Sequence, residues 1–200
     1  DQDMPWAGLD YTSVEVSEGV TRIGAWAFAW NEQITEVILN DGLLSIGENA
    51  FNSCHGLTSI YLPETLTTIE DSAFSGTGLT SVILPASLTS LGSQAFFWSE
   101  LADIQVEVGN MFYSSADGVL YSADGTELIL YPPYKADAEF TVPEGVTTIG
   151  NASMMESYHL NSIIFPRTLT TIGTNNFTWS EGLSQFRFTG NAPDIDEYGF

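Results

Sequence analysis

Positive charge is what this chain has least of. Against 26 Asp and Glu stand Arg22, Lys135, Arg167 and Arg187, so the 200 residues carry a formal net charge of −22. Phosphate backbones and anionic headgroups gain affinity chiefly by exchanging counterions for Lys and Arg, so neither nucleic acid nor a membrane surface is an expected partner. Cysteine is scarcer still: Cys54 stands alone, which rules out an internal disulfide and says little about compartment. No run reaches the 18 consecutive apolar residues of a membrane span, so membrane insertion is not expected. The opening "DQDMPWAGLDY" lacks the basic and apolar regions of a secretory leader, which equally suits a chain whose leader has been removed.

Catalytic signatures are missing as well. There is no G-x-S-x-G, no H-E-x-x-H and no P-loop. His55 and His159 fall in loops before strand-like runs, and Cys54 beside His55 is no dyad, because neighbouring side chains on extended backbone diverge. Oxygen-rich turns occur at "SADG" (115 and 122) and "DIDEYG" (194), but none has the spacing that closes a Ca²⁺ cage. No catalytic residue, metal ligand or cofactor is expected.

What the chain has is core material and rhythm. Its 44% hydrophobic and 12% aromatic content suffices for a buried core despite the charge. An aliphatic residue five positions before an aromatic or Met recurs at Ile23, Ile46, Ile69, Leu91, Ile149, Ile172 and Ile195. The partners are Phe28, Phe51, Phe74, Phe96, Met154, Phe177 and Phe200, and the steps are 23, 23, 22, 58, 23 and 23 residues. Ahead of these landmarks run "ITEVILNDGL" (34), "LTSIYLPETL" (57), "LTSVILPASL" (79), "FTVPEGV" (140) and "LNSIIFPRTL" (160). In "LTSIYLP", Leu57, Ile60 and Leu62 point one way while Ser59 and Tyr61 point the other, the alternation of a short strand. Proline at 63, 85, 143 and 166 ends each run, having no N–H for a further rung.

One coil of about two dozen residues buries too little apolar surface to offset the ordering of its own backbone. Coils must therefore stack, with rungs about 4.8 Å apart. The Gly after the landmark (24, 47, 92, 150, 173) is replaced by Glu70 and Asp196, so it marks a tight turn rather than an obligatory left-handed backbone. Ala27, Ala50, Ala73 and Ala95, just before the aromatic, read as a packing constraint. Within the 58-residue step, Asp-Gly pairs at 117 and 124 flank "VLYS" and predict a hairpin over 117–131, either an inherited structural variant or a partner-binding ridge.

The pattern L-T-x-I-x-L-P-x-x-L-T-x-I-G-x-x-A-F, repeated along residues 12 to 200, resembles the BspA-like class of leucine-rich repeat found in large bacterial surface proteins. "MPWAGLDYTSVEV" (4–16) is similar to the lead-in such proteins use, and "FYSSADGVLYSADGTELILYPPY" (112–134) to an insertion their arrays carry. The resemblance implies a mainly β, right-handed leucine-rich-repeat solenoid with short strands, short helical turns and one hairpin-like insertion. It implies a single domain: a lead-in at 1–11, coils at 12–100, an irregular insertion at 101–139, and coils at 140–200 with the last incomplete. It also implies a secreted or wall-attached protein, extracellular or on the cell surface, that adheres to host or microbial partners. Leader and anchor are then expected to lie outside this chain.

Outward strand positions form two columns, Ser13, Glu36, Ser59, Ser81, Asp103, Ser162 and Gln185, then Glu15, Ile38, Tyr61, Ile83, Gln105, Ile164 and Arg187. Ile38, Tyr61 and Ile83 fall on adjacent rungs as an apolar stripe. Cross-strand packing explains such a stripe without a ligand; a docking strip for a protein partner uses the same side chains. The binding residues expected from these columns are Glu36, Ile38, Ser59, Tyr61, Ser81, Ile83, Asp103, Gln105, Ile164 and Arg187. Trp30, Trp98 and Trp179 share another column and allow a glycan platform, while Trp26 and Tyr198 stand near the two ends. An architectural spacer within a larger surface protein needs none of these contacts. Nothing in the sequence sets an oligomeric state.

Overall fold

The structure is a computed structural model that describes residues 11–195. The lead-in up to residue 10, Asp196, Tyr198 and Phe200 lie outside the described residues. The chain divides into two compact units, Asp1–Glu100 and Leu101–Phe200.

In the first unit the landmark column is a physical column. Strands Arg22–Ile23, Ser45–Ile46, Thr68–Ile69 and Ser90–Leu91 form a parallel four-stranded sheet in chain order, in register Ile23↔Ile46↔Ile69↔Leu91. Ile46 and Ile69 are fully buried. Behind them the aromatic column stacks ring on ring: Phe28–Phe51 at 5.2 Å, Phe51–Phe74 at 5.4 Å and Phe74–Phe96 at 5.6 Å. Ala50 and Ala73 have no exposed surface, as expected where coils turn back against one another.

The expected helical turns are absent: none of the described residues is helical. Six coils instead turn through two left-handed residues four apart, such as Trp26 and Trp30, Asn49 and Ser53, or Ala152 and Glu156. That backbone cannot run an i→i−4 ladder. Its N–H groups alternate, one reaching across to the next coil and the next closing a local turn. Trp26, Phe28 and Trp30 donate to the carbonyls of Glu48, Ala50 and Asn52, while Ala27 and Ala29 donate to Gly24 and Trp26. The turns at 49–53 and 72–76 are tied to the next coil in the same way.

The second unit contains a coil that the spacing conceals. Strands Glu127–Leu130, Thr148–Ile149, Thr171–Ile172 and Asp194–Ile195 pair in parallel, with Leu128 in register with Ile149, Ile172 and Ile195. The fully buried Tyr131, whose N–H donates to the Ser153 carbonyl, takes the aromatic place. It lies three residues after its landmark instead of five, which hid it. The hairpin extends this sheet and begins earlier than expected. Tyr113–Ala116 and Val119–Ser122 pair antiparallel about Asp117-Gly118, both at positive φ, and Val119–Ser122 pairs in turn with Glu127–Leu130.

Candidate interaction surfaces

On the outward strand face of the first unit, Ser13–Glu15 pairs in parallel with Glu36–Ile38, setting Ser13 opposite Glu36 and Glu15 opposite Ile38. Val14 and Val37 point inward, and the residues flanking them are exposed. The rung at 57–62 departs from expectation, because it joins no sheet. Its side chains still alternate, Leu57 and Leu62 buried, Ser59 and Tyr61 out. Alternation needs only an extended backbone, whereas a ladder needs donors and acceptors facing each other. Ser81–Leu84 repeats the pattern with Ser81 and Ile83 outward. Ile38 is 50% exposed, Tyr61 64% and Ile83 54%.

In the second unit Glu139–Thr141, Ser162–Phe165 and Gln185–Phe188 form a parallel sheet, aligning Glu139↔Ser162↔Gln185 and Thr141↔Ile164↔Arg187. Glu139 and Thr141 head these columns and were missed, since "FTVPEGV" lacks the usual lead-in letters. Counting 23 residues back from Pro166 to Pro143 would have found them. Ser162 donates to the Glu139 carboxylate at 3.0 Å. A shallow hollow of about 450 Å³ lies over this sheet, between Glu139, Ile164, Gln185 and Arg187. Arg187 is exposed and forms no ion pair among the described residues. Asp103 and Gln105 are not part of this sheet. The Ile104 N–H between them donates to the Gly118 carbonyl, and the Gln105 amide donates to Asp103, so the hairpin turn half-covers Asp103.

Of the exposed tryptophans, Trp26 and Trp30 stack on one coil at 5.0 Å. Trp98 lies against Phe97, and Trp179 is half exposed. Among the described residues no three His, Cys, Asp or Glu side chains gather into a metal-binding group, and no helix is long and apolar enough to cross a membrane. His55 and His159 are both exposed.

The model of the BspA type leucine rich repeat region matches residues 6–115 and 136–200, in six copies. The chain belongs to the BspA-type leucine-rich repeat family. The pneumococcal vaccine antigen PcpA is similar in structure, with a TM-score of 0.78 and 25% identity over 88% of this chain and 50% of that one. A leucine rich cell surface protein of Faecalibacterium prausnitzii gives 0.72 and 27% over 88% and 54%. A leucine-rich repeat protein of Eubacterium ventriosum gives 0.71 and 23% over 96% and 64%, a likeness of fold alone. This chain therefore spans about half the length of the first two relatives. Comparison with curated protein sequences finds no match.

Within this leucine-rich repeat, Cys54 belongs to a column of small hydrogen-bonding residues. Its thiol donates to the Phe28 carbonyl of the preceding coil at 3.2 Å, as the Ser180 hydroxyl donates to Met154, whereas the hydroxyls of Ser99 and Ser157 donate within their own coils to Phe96 and Met154. Cys54 is fully buried. Burial pushes the thiol up to about 11, outweighing the hydrogen bond from Asn31. Because the folded value lies above the unfolded one of 9.0, the group favours folding below pH 9 and ceases to as pH rises through 11. The native thiol is expected to resist a disulfide-exchange reagent at pH 8 and to react within seconds in denaturant. Rapid labelling of the folded chain would contradict that burial.

Proposed function

We propose that this chain is a non-enzymatic interaction module of a cell-surface or secreted bacterial protein, docking a protein partner on the outward strand face of its first unit. The reading rests on Ile38, Tyr61 and Ile83, three large apolar side chains at least half exposed on consecutive rungs. Exposed apolar groups scattered singly need no explanation; three in a row on a rigid scaffold form a patch of the kind that marks a protein contact. Glu15 and Glu36 rim the patch, and the acidity of the chain adds long-range attraction for a basic partner. Surface location is supported by the F. prausnitzii relative, described as a cell surface protein. Adhesion to a host or microbial surface is the role this arrangement fits. Ile164 and Arg187, over the hollow in the second unit, offer a secondary contact.

Binding to a panel of purified extracellular-matrix proteins, compared between wild type and a Tyr61→Ala, Ile83→Ser double variant, tests the reading. Two central contacts worth about 1 to 2 kcal/mol each predict a loss of roughly 30-fold or more. Affinity should also fall as salt rises. Binding that survives both substitutions unchanged rejects the strip.

A further inference from the structure

The first coil is the only one among the described residues with tryptophan at both of its left-handed positions. Trp26 and Trp30 have φ of 60° and 62°, where a bulky side chain is strained. The coil requires that backbone but not those side chains. The same positive φ is served by Asn49 and Ser53 in the second coil, and by Ser72 and Gly76 in the third. The two rings stack at 5.0 Å with 24° between their planes, so Trp26 backs one face of Trp30, and 62% of Trp30 remains in solvent.

The coil alongside supplies a polar rim. The N–H groups of Trp26 and Trp30 donate to the carbonyls of Glu48 and Asn52 at 2.8 and 2.7 Å, which brings that coil's turn directly against the pair. There Ser53 donates to Asn52, Asn52 to Asn49 and Asn49 to Glu48, at 2.8, 3.0 and 3.1 Å. The half-buried Asn52 amide keeps a second N–H for another acceptor.

We propose that the Trp26–Trp30 pair, with Asn52 and Ser53 at its edge, binds a pyranose ring of a neutral oligosaccharide. The weakly positive C–H face of a pyranose lies flat on the negative face of an indole, and its equatorial hydroxyls exchange hydrogen bonds with amides and hydroxyls at the rim. A ring already stacked on its neighbour loses little freedom on binding. The carboxylate of Glu48 and the charge of −22 select against uronic or phosphorylated sugars. This site is separate from the strip formed by Ile38, Tyr61 and Ile83, so either can fail alone.

Titrating the full chain with hexamers of glucose and of N-acetylglucosamine, read by tryptophan emission and by calorimetry, tests the proposal, with hexagalacturonate as the charged control. A neutral hexamer is expected to bind and shift the emission. The Trp26→Asn, Trp30→Ser double variant, which writes the second coil's residues into the same backbone, should melt like wild type and bind at least about tenfold more weakly. Trp98→Ser should bind as wild type. No response to either neutral hexamer, undiminished binding by the double variant, or equal binding of hexagalacturonate each overturns the site. Matrix-protein binding that the double variant loses while no sugar binds would instead make the pair a protein contact.

Discussion

Ile69→Asp is expected to unfold the first unit, or to lower its melting temperature by about 10 °C or more. Ile69 has no exposed surface, and its strand lies inside the four-stranded sheet between Ile46 and Leu91. A carboxyl group there meets only apolar side chains and backbone already engaged in pairing. Burying it uncompensated costs several kcal/mol, whether it stays charged or takes up a proton. The whole stability of a domain is about 5 to 15 kcal/mol, and in a stacked array both interfaces of the coil are lost together. Each kcal/mol corresponds to roughly 4 to 8 °C for a unit of the size of Asp1–Glu100. Leu44→Asp is the control, because Leu44 is 46% exposed one residue before a strand of the same sheet. It should melt within a few degrees of wild type. Melting of Ile69→Asp close to wild type would sink the stacking register.

Gly92→Ala and Gly24→Ala should differ sharply although both glycines hold the same place in the repeat. A Cβ on Gly92 would run into the Asp71 nitrogen and the Glu70 carbonyl carbon, whereas one on Gly24 meets nothing within 4 Å. Neither glycine is at positive φ, so the difference is one of space alone. Backbone atoms yield less than side-chain ends, and overpacking of this kind costs about 1 to 3 kcal/mol or more. Gly24→Ala is expected to be neutral, or to gain up to about 1 kcal/mol by restricting the unfolded chain. Denaturant melts of the two variants decide it. Equal effects would mean that the glycine serves the turn itself and not the approach of the preceding coil.

That pair of glycines shows what one-dimensional reading misses. The repeat marked the position, and the replacement by Glu70 correctly argued against a left-handed backbone there. The actual reason, a neighbouring coil pressed against the glycine, exists only once coils are stacked. Glu70 is accommodated because its carboxylate is used, accepting the Glu48 N–H and pairing with Arg22 at 3.0 Å. The left-handed positions themselves were invisible, because they carry Trp, Asn, Ser, Gln, Ala or Glu, with Gly76 the one glycine among them. Inter-coil hydrogen bonds, not residue preference, impose that backbone.

The candidate strip was more legible. Ile38, Tyr61 and Ile83 were placed outward by alternation alone, and all three are exposed, including Tyr61 on a rung that joins no sheet. Asp103 was assigned to the same face and is half-covered by a turn contributed from residue 118. The concealed coil at Leu128 and Tyr131 escaped notice because its spacing is compressed, although both side chains are fully buried.

By itself, the sequence determined the family, the period and the side of the backbone on which each strand residue lies. These are local properties: a two-residue alternation and a recurring set of apolar side chains too small to fold singly. The tertiary structure decided which coils carry a ladder, where the hairpin joins the sheet, and why a glycine is needed at 92 but not at 24. Each of those depends on which donor, acceptor or backbone atom of one coil faces the next, and that distance is written in no single stretch of the chain.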